Sequence, residues 1–307
     1  MKPWLSAHVP QDTHPSEPRE AAILDAAQIL PPASCTSPPR AVGTLLLQSK
    51  HRADNATSAL GDLRHSGCLK ALFPRGPADR LNAVMVNTSG GITGGDDLRI
   101  EARIGTRSRL SLTTQAAERI YRASGTAPGR VSTRVTVEAG GRLDWLPQET
   151  ILFDDARLDR RLRVDLAHDA QCLLVETLVF GRTAMGEHVA KLDLSDRISV
   201  WRDGQPLFVD RMRLCGDASV MLRRRALGQG AVAMASVLLA TQADSGAAPA
   251  FLEQLRPQLP AQAGASLIRP GLLFLRLTAS DSFELRRSLI PVLAMLNDGP
   301  LPRTWMI

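Results

Sequence analysis

Histidine and cysteine are thin in this chain, six and four among 307 residues. Cys35, Cys68, Cys172 and Cys215 stand far apart and form no CxxC pair, so no thiolate metal site is supported. A chain this long has no need of a disulfide framework, and Cys172, set in an apolar run, reads as a small hydrophobe. The histidines fall at no zinc-type spacing. No G-x-S-x-G elbow occurs and no Ser-His-Asp arrangement can be assigned, which leaves a catalytic reading without a foothold. Aromatics make up only 4% of the chain, so aliphatic side chains must fill the core. Long hydrophobic runs are missing too. The longest, Ala231 to Ala240, falls well short of the roughly 20 residues of a membrane-spanning helix. The N-terminus lacks the charged-then-apolar pattern of a secretory signal. The expectation is a cytoplasmic protein that does not engage a membrane.

Lysine is scarce as well, at Lys2, Lys50, Lys70 and Lys191. The net charge of +6 is therefore carried by arginine. Nucleic-acid readers concentrate such charge in a stripe, often with stacking aromatics. Here the arginines are dispersed along the sequence, and the longest run is Arg223-Arg224-Arg225. Compositional bias is the first reading, a surface for an acidic protein the second, and a nucleic-acid footprint the last; no nucleic-acid partner is expected.

An apolar fraction of 44% and a charged fraction of 22% belong to a folded globular chain. Residues 1–40 are rich in proline and polar residues and read as a flexible arm. From 41 to 215 short strands follow one another closely. Leu98, Ile100, Ala102 and Ile104 alternate with Arg99, Glu101 and Arg103; Val131, Val135 and Val137 alternate with Arg134, Thr136 and Glu138. Leu162, Val164 and Leu166 alternate with Arg161, Arg163 and Asp165. Period two with one polar face marks half-buried strands. Turn chemistry lies between them at Gly90–Gly95, Gly140-Gly141 and Asp203-Gly204. The fold expected is mainly β, a β-helical or sandwich-like stack of short strands. A small α+β portion over 216–307 packs on that core, with strands at Ser266–Ile268 and Leu272–Leu277. Helical spacing appears at Ala250–Leu255 and Phe283–Leu296, although Pro291 should kink or break the second. The apolar segments Ala231–Ala240 and Leu289–Leu296 suit surfaces that a partner covers.

Four carboxylates attract attention. Glu176 shares the apolar alternation of Cys172, Leu174, Leu178 and Phe180, so on a buried face it needs a cationic partner, water or a metal ion; Arg182 is the nearest candidate. Glu149 and the pair Asp154-Asp155 stand beside an apolar strand, where a turn capped by the aspartates and a salt bridge from Glu149 to an arginine explain them better than acid/base work or a hard cation does. Glu187 sits next to His188 in a loop, but adjacent strand residues point to opposite faces. Asp96 ends the glycine-rich segment Gly90-Gly91-Ile92-Thr93-Gly94-Gly95. That loop lacks the Lys-Ser/Thr and the helix of a phosphate loop, and reads as a tight connection. An enzyme or binding protein for a small anionic ligand, using Gly90–Gly95, is the alternative function. Thr113, Thr114 and Gln115 supply hydroxyls and an amide that either line a polar channel or support the strand ladder.

Taken in order, several segments resemble the UreD (UreH) family of urease accessory proteins. They are Gly90-Gly91 to Gly94-Gly95-Asp96, Thr113-Thr114-Gln115-Ala116, Tyr121-Arg122, and Trp145-Leu146-Pro147-Gln148-Glu149 with Phe153. Gly181-Arg182 with Gly186-Glu187 and the ending Pro302-Arg303-Thr304-Trp305 complete the series, over residues 41–307. Asn87-Thr88-Ser89 departs from the family's Asn-Pro-Pro, and Arg119 stands where lysine is common. The resemblance implies a non-catalytic scaffold in the cytoplasm that acts with UreF, the GTPase UreG and the urease apoprotein. It also implies an internal route for nickel, without a tightly bound cofactor. On that expectation Glu176, Glu149, Asp96 and Glu187 line a transient nickel route, supported by Arg182, Thr113, Thr114 and Gln115. Spaced carboxylates and hydroxyls suit a cargo that must leave again; imidazole and thiolate clusters would trap it.

Overall fold

The computed structural model describes residues 39–54, 56–182 and 185–306; the arm expected over 1–40 lies almost wholly outside them. The described chain opens with β1 (Val42–Arg52), β2 (Thr57–Gly67), β3 (Leu69–Leu72) and β4 (Leu81–Asn87). Next come β5 (Asp97–Ile104), β6 (Arg109–Thr114), β7 (Glu118–Ile120), β8 (Gly129–Val137) and β9 (Arg142–Trp145). They are followed by β10 (Thr150–Leu152), β11 (Ala156–Leu166), β12 (Gln171–Phe180), β13 (Leu192–Arg202) and β14 (Gln205–Gly216). A short helix α1 (Ala218–Arg223) precedes β15 (Ala233–Ala240) and α2 (Ala247–Leu255). The chain then runs through β16 (Ala263–Arg269), β17 (Leu272–Ala279) and α3 (Ser282–Leu296).

The strands assemble into two sheets. One has seven strands in the order β14-β13-β11-β8-β5-β1-β2. The other has the order β16-β17-β15-β12-β9-β6-β4-β3, with β10 and β7 attached at its side. From β4 to β13 the chain crosses from sheet to sheet, laying each new strand parallel to the one before it. A third column runs beside the two sheets: Ile92 bridges Ile120, β7 pairs with β10, and β10 pairs with the end of β12. This is the stacked coil of a β-solenoid, as the period-two segments predict. Tight hairpins close the coil, and β13 turns into β14 through Asp203 and Gly204, both at positive φ as a two-residue hairpin turn requires.

Alternation decides what the coil encloses. Leu98, Ile100, Ala102 and Ile104 of β5 point inward with Val135 and Val137 of β8 and Leu162, Val164 and Leu166 of β11. Gly91 holds the coil's first corner: a Cβ there would lie 2.7 Å from the Arg119 carbonyl oxygen and 2.3 Å from the Tyr121 ring. Only glycine allows that approach.

A second core lies on the other face of the second sheet. Leu173 and Val175 of β12 and Val237 and Leu239 of β15 meet Leu285, Leu289, Leu293 and Leu296 of α3. The segments Ala231–Ala240 and Leu289–Leu296, expected beneath a partner, thus cover one another within the chain. Each buried leucine contributes about 1.5–3 kcal/mol. Asp281 caps α3 by accepting from the Glu284 N–H at 2.8 Å, and Arg142 donates to the Leu296 carbonyl at the helix end. Pro291 neither breaks nor ends α3. It sits on the exposed side of the helix, where water can satisfy the carbonyl that its ring leaves without a donor.

Candidate functional site

β12 carries Glu176 in the inward row with Cys172, Leu174, Leu178 and Phe180, and leaves it 6% exposed. A lone carboxylate there would cost several kcal/mol. Its partner is Arg160, which arrives from the opposite sheet on β11 with Nη1 2.5 Å from Glu176 Oε2. Trp145 Nε1 donates to Glu176 Oε1 at 2.8 Å. Arg160 also donates through Nε and Nη2 to Asp196 of β13, at 2.9 and 2.7 Å, and through Nη1 to Thr150 Oγ1 at 3.0 Å. One buried guanidinium therefore bridges two buried carboxylates. Burial raises the Glu176 pKa and Asp196 adds to the rise, against Arg160 and the Trp145 N–H, which hold it down. Burial disfavours the Arg160 charge, but Asp196 and Glu176 outweigh it and keep the guanidinium above its ordinary value.

Space lies on both sides of this bridge. A cavity of about 240 Å³ between the sheets is bounded at its inner end by Trp145, Glu176 and Arg160. It reaches the surface where Gly90, Gln115 and Ala116 are exposed. Beyond the bridge a pocket of about 10 Å³, room for about one water, continues to Asp196, Asp210, Met212 and Ser236. Arg160 and Glu176 line both spaces and so form the partition between them. Asp210 closes the far end in an ion pair with Arg276, which also donates to Ser236 Oγ at 3.2 Å.

Near the open end the cavity wall includes Glu118 of β7. Asn87 Nδ2 donates to its two oxygens at 3.1 and 3.2 Å. Burial pushes its pKa up to about 7, the Asn87 amide and the Arg119 backbone N–H pulling the other way. Its segment reads in the sequence as a surface loop, and three strand residues are too few to show alternation. Arg160 and Asp196 did leave a signal. Arg160 has the parity of Leu158 and Leu162, and Asp196 that of Leu194 and Ile198, which puts two charged side chains in apolar rows.

The structure separates the other residues singled out in the sequence. Thr114 and Gln115 line the cavity. Thr113 lies outside that wall and shares a hydrogen bond with Thr304 at 3.1 Å. Glu149 accepts from Arg286 at 2.9 Å, in a clamp where Arg286 also stacks over Trp305. Arg182 pairs with Glu187 at 2.9 Å and stacks over Phe153, so it is not the partner of Glu176. Asp96 accepts from the Ala41 and Thr93 N–H groups, both at 2.8 Å, and ties the glycine loop together. The N–H groups of Ile92, Thr93, Gly95 and Asp96 are all spent on the protein's own acceptors and are not free to hold a phosphate. Among the described residues no three His, Cys, Asp or Glu side chains converge as a metal site, and no helix is long and apolar enough to cross a membrane.

Residues 41–306 match the family model described as UreD urease accessory protein. The chain is 51% identical to the urease accessory protein UreD of Ruegeria sp. (strain TM1040), over 88% of this chain and 92% of the relative. It is 45% identical to the protein of that name from Roseobacter denitrificans, over 88% and 96%. The Paracoccus denitrificans UreD is 44% identical over 80% and 87%. Matches of this extent span both sheets, the partitioned cavity and the α3 face, and the chain belongs to the UreD family of urease accessory proteins.

Proposed function

We propose that this chain is a non-catalytic scaffold of urease maturation that works with UreF, the GTPase UreG and the urease apoprotein, and that nickel crosses its interior as cargo. The observation that carries the reading is the row of carboxylates along two spaces that meet at one partition: Glu118 and Glu176 in the large cavity, Asp196 and Asp210 beyond it. Glu118 is held by the Asn87 amide and the other three by arginines, and no three of these side chains converge, so a divalent ion meets few oxygen ligands at a time and passes on. The bridge has one guanidinium between two carboxylates. With both carboxylates ionised it carries a net negative charge, which attracts a cation to the partition. With Glu176 protonated it is neutral. Swinging Arg160 wholly onto Asp196 would free Glu176 for the ion, and transit is then an exchange of cation for guanidinium at that carboxylate.

The test is urease activity and urease-bound nickel in cells that express urease and its other accessory proteins. Omitting this chain should abolish both, and adding it back should restore them. Glu176→Ala should lower bound nickel while the chain still co-purifies with its partners, and Glu176→Gln, which keeps the shape and an acceptor for Trp145, should do the same. Full nickel loading by a folded Glu176→Gln chain would defeat the route; full loading without the chain would defeat the maturation role.

A further inference from the structure

Arginines dispersed in the sequence come together on the outer face of the seven-stranded sheet. Parallel strands in register put every second side chain of each coil beside that of the next. In one lateral row Arg161 of β11 lies beside Arg197 of β13, and Arg197 beside Arg211 of β14. In the next row Arg134 of β8 lies beside Arg163 of β11. The carboxylates of this face are largely engaged on their own strands: Asp97 with Arg99, Asp159 with Arg161, and Asp165 with Arg163. Arg134, Arg197 and Arg211 have no hydrogen-bond or ion-pair partner among the described residues, and all three are exposed. Like charges on facing strand positions destabilise a sheet. Among the described residues no carboxylate pairs with Arg197 or Arg211 to offset that cost.

We propose that this arginine ladder is a docking surface for an acidic face of another protein. Strands in register fix the spacing at which these arginines leave the sheet, and each planar guanidinium fork suits bidentate pairing with a carboxylate. A groove of about 420 Å³ runs among Arg99, Arg134, Arg161, Arg163 and Arg197, and gives the surface relief for protruding Asp or Glu side chains. The interleaved carboxylates favour a protein over a nucleic acid, because Glu101, in register with Arg134, would repel a phosphate backbone and meet a basic residue of a protein favourably. The aromatic in the groove, Trp201, is stacked beneath Arg163 at 4.6 Å and is not free to stack on a base. The proposal does not depend on nickel transit.

The experiment uses the full chain, poly-L-glutamate as the acidic-protein probe and a DNA duplex as the competing polyanion, at physiological ionic strength. Arginine modification by phenylglyoxal, mapped by mass spectrometry, reads which side chains each probe protects. Poly-L-glutamate should protect Arg134, Arg197 and Arg211. Arg197→Glu/Arg211→Glu should weaken its binding at least about tenfold with a thermal unfolding midpoint no lower than that of the wild type. Arg223→Glu/Arg224→Glu, equal in charge change but placed at the end of α1, should leave it within about twofold. Equal losses in the two variants would reduce the ladder to net charge and overturn the proposal. So would unprotected ladder arginines, or tighter binding of the duplex through the same residues.

Discussion

Arg160 and Glu176 approach within 2.5 Å from opposite sheets, and the pair divides the interior into a cavity of about 240 Å³ and a pocket of about 10 Å³. Removing one member of such a buried pair leaves the other charged and unpaired, at a cost of about 3–5 kcal/mol. Arg160→Leu should therefore destabilise the chain by about that much in equilibrium denaturation. The penalty arises from the two carboxylates left behind, so adding Glu176→Gln and Asp196→Asn should recover most of it. If Arg160→Leu unfolds like the wild type, the bridge is not holding the sheets together.

Glu118 gives the chain a pH dependence with a definite sign. Its folded pKa, about 7, lies above the ordinary 4.5, so the folded state binds its proton more tightly than the unfolded chain does. The stability this lends is complete below about 4.5 and is lost as pH rises through about 7. Glu118→Gln has no proton to lose. The variant's stability relative to wild type should climb between these values and level off above them, gaining about 2 kcal/mol after allowance for solvent at the cavity mouth. Denaturation of both chains from pH 4.5 to 8 measures it, and a flat difference across that range would mean that Glu118 titrates like a surface carboxylate.

Much of the coil was legible because β5, β8 and β11 alternate over their full length and bury what alternation says they bury. Glu176 was legible by the same rule. Its partner was not, since proximity in sequence favours Arg182 while the coil brings Arg160 across from the other sheet. Strand pairing is a long-range property that no single segment carries, and for the same reason Arg161, Arg197 and Arg211 look scattered until their strands are laid side by side. Asp96, Glu149 and Glu187 resemble Glu176 in composition alone; each is tied to local N–H groups or to a different arginine.

The C-terminal Trp305 should prove as important to folding as any residue of the coil. It is 1% exposed in the second core, its Nε1 donates to the Leu146 carbonyl at 2.9 Å, and Arg286 lies over its ring. Trp305→Ala empties that site and leaves the carbonyl without its donor, for an expected loss of about 3–5 kcal/mol. Trp305→Phe keeps most of the burial and gives up the hydrogen bond, so its loss should be nearer 1–2 kcal/mol. Chemical denaturation of the two variants separates packing from polar satisfaction; equal losses would assign the whole effect to the hydrogen bond.

Whether cargo enters through the cavity mouth can be asked without touching a charged residue. Ala117 lines the cavity and is partly exposed beside Glu118. Its side chain is a single methyl, so Ala117→Trp puts an indole into space the wild type leaves open, where Ala117→Ser leaves the opening nearly unchanged. The bridge of Arg160 with Glu176 and Asp196 stays intact in both. If ions traverse the cavity, the tryptophan variant should load several-fold less nickel into urease than the serine variant, while both co-purify with their partners in equal amount. That pattern separates a blocked route from a broken scaffold, because a scaffold defect would lower recovery of the complex together with its nickel. Equal nickel in the two would mean that the ion does not pass Ala117, and the row of carboxylates behind it would then need another entrance or another role.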